Sequence, residues 1–455
     1  MRKIIVPLVV ILLAVAACRP PLQVPPDSLA VPPLSFSIPS VERFELANGM
    51  PVYFKENSEL PLVTVQAVFR AGSTYDPPGR EGLADITSEG MRTGGTSHMS
   101  GHAVDEILDR HAAILSVSME RDTGTASLSV MSQDIEMGIR VFSDVVMFPS
   151  FETAKIEQAK EMAIEDIRRI EDNPQQLAFR EFFCHLYEGD ARGRKSTLET
   201  IESIERRDCV DFHRRHFYPA NIMLAVTGNV SKTRIQTLLE DTMGAWQAGG
   251  DIDAAPPPPP VPGSLTVLSK EIPQSVIIGG LMAPGQQDSD YAAFRVLDYI
   301  LGGGGFRSRI MNEIRNVRGL AYSAGSIYSS RPSYGVSIIY AMTKATATNE
   351  VYALLNEIVE RVATEGVTEE ELSWAKEAIV NNYIFSFENY EQIVEKQLSV
   401  EFHGLPRDYL ATYPSRIRSV TGEDVRRVAR QHLNTADITY LILGDEKQFD
   451  PSFLK

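Results

Sequence analysis

The chain has 455 residues, a formal net charge of −16, and 43% hydrophobic and 23% charged residues. At roughly 150 residues per domain, that is material for two to four domains of ordinary globular composition. Lys and Arg are scattered and form no run, which excludes a phosphate-binding face and with it a nucleic-acid partner.

The N terminus reads as a processing signal. Met1-Arg2-Lys3 is a basic start, and Ile4 to Ala14 is an apolar run too short to cross a bilayer. Val15-Ala16-Ala17-Cys18 follows. Small residues directly before a cysteine resemble a bacterial lipobox, so residues 1–17 are expected to be a lipoprotein signal peptide and Cys18 the lipidated first residue. Arg19 in place of Asp resembles an outer-membrane sorting signal, which puts the chain in the envelope, facing the periplasm. Residues 18–40 are Pro-rich and read as a spacer from the membrane. Cys184 and Cys209 remain. A disulfide and two small buried apolar side chains are both open, and their helical flanks favour the second.

Periodic structure begins at Val41. Phe44–Leu46 and Val52–Phe54 flank Asn48-Gly49 as a hairpin. Val63–Phe69 alternates as a strand. Helices are predicted over Gly82–Arg92 and His102–Ala113, strands over Ile114–Arg121 and Thr125–Met131, and helices over Asp134–Val146 and Thr153–Glu171. Shorter helices reach Phe217, Met223–Gly228 is a strand, and a helix runs to Trp246. The proline run 256–260, flanked by Gly249, Gly250 and Gly263, reads as a linker over 249–263.

The second half repeats the plan. Ser275–Met282 is a strand and Tyr291–Leu301 a helix. Tyr322–Tyr328 and Gly335–Met342 are strands, Asn349–Thr364 and Glu369–Phe385 are helices, and Ile438–Leu443 is a final strand. The pattern predicts α+β architecture. Two homologous domains, 41–248 and 264–455, would each be a mostly antiparallel sheet with helices on one face.

Ala71-Gly72-Ser73, Gly82-Leu83-Ala84 and Gly94-Gly95-Thr96 stand in an order that resembles the pitrilysin/insulinase family of zinc metallopeptidases, the processing-peptidase-like branch. Phe217-Tyr218-Pro219-Ala220-Asn221, the glycine run 302–305 and Arg315 through Tyr322 extend the resemblance over about residues 41–446. Active relatives carry His-x-x-Glu-His after Gly-Leu-Ala. Two imidazoles at i and i+4 on one helix face hold Zn²⁺, the Glu between them takes a proton from the bound water, and a distal Glu completes the set. Here Asp85 stands at the first His, Ser88 at the catalytic Glu and Glu89 at the second His, while the distal position is Glu165. The resemblance therefore implies no catalytic residue and no cofactor in this chain.

Other readings of the same residues stay open. Asp85, Glu89 and Glu165 would suit an all-carboxylate Mg²⁺ or Ca²⁺ site, or simply form a solvated acidic face. His98 and His102 are spaced for a metal or are surface residues. By resemblance, Arg315 and Tyr322 bind substrate backbone and polarise the scissile carbonyl, and Gly302, Gly303, Gly304 and Gly305 handle peptide. The expected function is that of a non-catalytic, substrate-binding subunit. Its partner would be a zinc-bearing chain of the same family and its ligand an extended peptide, with the lipid tethering it to the membrane. The alternatives are a scaffold protein of the same fold and an enzyme with a rebuilt metal site.

Overall fold

Gly49, at a positive φ of 83°, turns the chain between β1 (Glu42–Glu45) and β2 (Pro51–Glu56), a conformation glycine adopts without strain. The computed structural model describes residues 37–247, 249–250 and 254–450. The signal, Cys18 and most of the spacer lie outside the described residues, as does part of the linker.

β3 (Leu62–Phe69) buries every second residue, as its alternation requires. α1 (Leu83–Thr93) and α2 (Gly101–Arg110) lead to the hairpin of β4 (Ile114–Met119) and β5 (Gly124–Met131). α3 (Ile135–Met147) and α4 (Thr153–Asp172) follow. Asn173 accepts the Gln175 and Gln176 amides at 3.1 Å, and Pro174 opens α5 (Pro174–Leu186), so the chain restarts as a second helix here. α6 (Leu198–Ser203), α7 (Arg206–His216), β6 (Ile222–Gly228) and α8 (Lys232–Met243) complete the first half.

The second half opens with β7 (Leu265–Ser269), a strand the sequence pattern does not reveal because it is only half-buried along its length. β8 (Gln274–Ala283) and α9 (Tyr291–Asp298) come next. The predicted helix to Leu301 is α-helical only to Asp298; Tyr299–Gly303 continue as a wider π-helical turn. β9 (Ala321–Ser330) and β10 (Gly335–Lys344) form the second hairpin. α10 (Thr348–Glu365), α11 (Glu369–Ile384), α12 (Tyr390–Phe402), α13 (Tyr409–Ser419), α14 (Gly422–His432) and β11 (Thr439–Gly444) finish the fold.

The first sheet has the order β1-β2-β6-β3-β5-β4 and the second β7-β11-β8-β10-β9. β2 with β6 and β7 with β11 are parallel; every other pair is antiparallel. Without β1 the two sheets are the same topology, which is the duplication the sequence pattern suggests.

Each half packs its own helices on one sheet face. Val52, Phe54, Leu224 and Val226 belong to the first core, and Ile277, Ile339, Tyr440 and Ile442 to the second. Their neighbours in sequence point the other way. Val276, Ile278, Val336, Ile338, Leu441 and Leu443 pack against Ala178, Phe182 and Leu186 of α5, a helix of the other half. Tyr53 and Ala225 in turn pack against Val394, Leu398 and Phe402 of α12. The halves thus exchange one helix each, and the described chain from Ile38 is one contact unit. Gly280 permits this: a Cβ there would stand 2.6 Å from the Phe182 ring. Cys184 and Cys209 are free thiols, on α5 and α7 respectively. No described helix is long and apolar enough to cross a membrane.

Candidate functional site

Asp76 organises the start of α1. Its carboxylate accepts the Gly82 amide at 2.8 Å and the Ala84 amide at 2.9 Å, donors the first helical turn leaves free. Gly82 has φ +100°, and a Cβ on it would meet Ile201 at 2.4 Å, so the residue before the motif helix must be glycine. Asp76 is 3% exposed, and burial, with Asp85 nearby, pushes its pKa up to about 7 against the two amides and Arg194. The folded chain therefore holds a proton that an unfolded aspartate releases above about pH 4. That contribution is full below the unfolded pKa and is lost as pH rises towards about 7. Asp76→Asn, neutral throughout, should flatten this fall in urea midpoint between about pH 4 and pH 7; an unchanged slope would assign the pH dependence elsewhere.

On α1, Asp85 opens onto a recess of about 220 Å³ that Asp76, Arg121, Arg180 and Arg194 also line. Water reaches Asp85, but protein on most sides weakens its solvation and raises its pKa. Ser88 is 8% exposed and donates its hydroxyl to the Asp85 carbonyl at 2.8 Å, a bond within the helix. Glu89 is half-buried. Glu165, on α4, lies on the exposed side and pairs with Arg169 at 3.3 Å. His98 is held by Asp144 at 3.1 Å, and His102 is exposed.

No group of three or more His, Cys, Asp or Glu among the described residues is placed to hold a metal ion. The donor set at the motif position does not fit zinc. It offers no imidazole, its hydroxyl is turned to backbone, and its distal carboxylate is engaged by an arginine.

The second half brings Arg315 and Tyr322 together. Arg315 lies in the π-helical segment Met311–Val317, with its guanidinium 4.6 Å from the Tyr322 ring and 5.0 Å from the Phe306 ring. It makes no side-chain hydrogen bond or ion pair among the described residues, so its donors remain available. Tyr322 stands at a bulge: Ser323 pairs with Met342 and Ala321 with Thr343, leaving Tyr322 unpaired on edge strand β9. It is 80% exposed, and Phe306 and Val317 are exposed too. No hydrogen bond, ion pair or ring contact among the described residues joins this pair to Asp85, Ser88 or Glu89.

The glycine run has a packing reason. A Cβ on Gly302 would lie 2.1 Å from the Ser326 amide, one on Gly303 would lie 2.7 Å from the Asp298 carboxylate, and one on Gly304 would lie 2.4 Å from Trp374. Gly305, at φ +65°, alone faces open space. Beneath the run, buried Asp298 accepts the Ser326 hydroxyl at 2.6 Å, and burial lifts its pKa to about 6. Neither Asp76 nor Asp298 is recognisable in sequence as anything but a surface aspartate; both are made by burial.

The pattern described as Insulinase (Peptidase family M16) matches residues 52–198, and that described as Peptidase M16 inactive domain matches residues 203–379. The chain belongs to peptidase family M16. An uncharacterized zinc protease of Rickettsia bellii is 25% identical over 340 residues, covering 74% of this M16 chain and 82% of the relative. The mitochondrial-processing peptidase subunit beta of Mus musculus is 25% identical over 430 residues, covering 91% and 86%. Among solved structures, the peptidase M16 inactive domain from Pseudomonas fluorescens superposes with a TM-score of 0.81 at 24% identity, covering 89% of this chain and 98% of that one. Relatives named as zinc proteases thus share the M16 frame of this chain.

Proposed function

We propose that this chain is the non-catalytic, substrate-binding subunit of a two-chain M16 zinc endopeptidase in the bacterial cell envelope. The observation that carries the reading is an asymmetry between two sites of one chain. The motif helix is intact as structure, capped by Asp76, but carries Asp85, Ser88 and Glu89 where zinc chemistry needs His, Glu and His. The Arg315–Tyr322 pair is assembled, with Tyr322 exposed and Arg315 half-buried, and has no charged partner among the described residues. A cation sandwiched between rings and a phenol on a bulge are a preorganised donor pair for a peptide carbonyl.

In this reading the partner holds the zinc and generates the nucleophile. This chain contributes Arg315 and Tyr322 to the substrate carbonyl, with the peptide extended along the partner's sheet edge. Gly305 would lie beside the peptide, while Gly302, Gly303 and Gly304 keep the loop against β9 and α11. Lipidation at Cys18 would tether the pair to the outer membrane.

A tagged copy purified from detergent-solubilised envelopes tests this. Co-elution of a chain with an intact His-x-x-Glu-His, with chelator-sensitive cleavage of quenched peptides that the isolated chain lacks, is the expected result. Elution alone and inert would favour the scaffold alternative.

A further inference from the structure

A second cleft lies where the two hairpin turns meet, the β4–β5 turn of the first half and the β9–β10 turn of the second. It has a volume of about 350 Å³, enough for one large side chain, and Tyr75, Tyr334 and Phe402 supply much of its wall. Three arginines reach it: Arg70, Arg192 and Arg331.

The carboxylates of the cleft are already committed. Glu401 accepts two bonds from Arg43 at 2.7 Å and the Tyr53 hydroxyl at 2.5 Å. Asp122 accepts the Thr74 hydroxyl at 3.0 Å and the Tyr334 hydroxyl at 3.1 Å, and pairs with Arg192 at 3.3 Å. Arg192 is committed through its terminal nitrogens, donating to Asp190 at 3.0 Å and to the Pro256 carbonyl at 2.8 Å. Arg331 differs. It stays 3.9 Å from both Glu120 and Asp122 and makes no side-chain hydrogen bond among the described residues. Arg70 spends one donor on the Phe402 carbonyl at 2.8 Å and lies 4.6 Å over the Phe402 ring. His403, in the same wall, is held down to about 4 by burial and by the positive charge of Arg331 and Arg70. The cleft is thus apolar in its walls and positive in its field, with open guanidinium donors at one side.

We propose that this cleft binds the carboxylate of an apolar organic acid about the size of one aromatic residue, with Arg331 and Arg70 on the carboxylate and the side chain against Tyr75, Tyr334 and Phe402. An arginine fork suits a carboxylate, and the rings suit its apolar body. The site stands whether or not the chain has a peptidase partner.

Calorimetric titration of the full chain with N-acetyl-L-phenylalanine and with its amide decides it. The acid should bind about tenfold or more tightly than the amide, because only the acid meets the guanidinium charge. Arg331→Gln should weaken the acid by a similar factor with an unchanged melting temperature, while Arg214→Gln, on the exposed side of α7, should not. A short peptide ending in Phe that binds as well as the acid would identify the source as a peptide C terminus. A peptide excluded while the acid binds would identify a free organic acid. Equal affinity for acid and amide, no detectable binding of the acid, or indifference to Arg331→Gln would each overturn the proposal.

Discussion

Replacing Arg315 by alanine is expected to lower kcat/KM of the two-chain peptidase by about 10²- to 10³-fold, the usual cost of removing one preorganised donor to a developing oxyanion. Tyr322→Phe, which deletes one hydroxyl and keeps the ring under the guanidinium, should cost less, about 10- to 100-fold. Neither change should move the melting temperature of the isolated chain: Tyr322 is 80% exposed, and the Arg315 guanidinium has ring contacts but no hydrogen bond or ion pair among the described residues. Arg315→Lys should rescue little, because a point charge replaces a planar fork stacked between rings. Steady-state kinetics of the reconstituted complex with a quenched peptide make the measurement. Activity equal to wild type in both variants would remove the donor role and leave a scaffold.

Phe182→Ala is expected to destabilise the protein by about 3–5 kcal/mol, the range for deleting a fully buried aromatic side chain. Phe182 is fully buried, sits on Gly280 and carries α5 of the first half onto the second sheet. The loss is therefore concentrated where the halves hold each other. The protein offers a direct readout in its two tryptophans, Trp246 after α8 and Trp374 in α11. In single-tryptophan variants the two reporters should unfold in one coincident urea transition. With Phe182→Ala added, the transitions should separate and the first midpoint fall. Met162→Ala, at a side chain 53% exposed, should stay within about 0.5 kcal/mol. Coincident transitions in the Phe182 variant would mean that α12 and the linker suffice to couple the halves.

The linker bears on the same point. Its proline run reads as a linker between the two domains, and within it Arg192 holds the Pro256 carbonyl at 2.8 Å and the Ala255 backbone hydrogen-bonds Tyr75. Ala255 and Pro256 of the linker are thus held against the first half.

Local chemistry made much of the fold legible. Alternation at Val63–Phe69 and Thr125–Met131 announces strands because successive side chains point to opposite faces, and Asn48-Gly49 announces its hairpin because glycine takes positive φ without strain. The helix that carries Asp85, Ser88 and Glu89 was equally readable, since its pattern is local and needs no tertiary contact. The seven-residue spacing of Arg315 and Tyr322 marked the pair, but not the π-helical turn and the bulge that stack guanidinium on phenol.

What escaped reading depends on partners far apart in the chain. Val276, Ile278, Leu441 and Leu443 read as apolar whichever helix covers them, and the covering helix comes from the other half. Asp76 and Asp298 look like any aspartate, and only enclosure by the fold raises their pKa. The cleft around Arg331 exists because two hairpin turns separated by some two hundred residues close on each other. Periodicity and turn chemistry act over a few residues, and so they specify most of the elements and the duplication. Desolvation, helix exchange and the sharing of one carboxylate among several donors arise only once distant elements pack, and so the tertiary structure alone determined them.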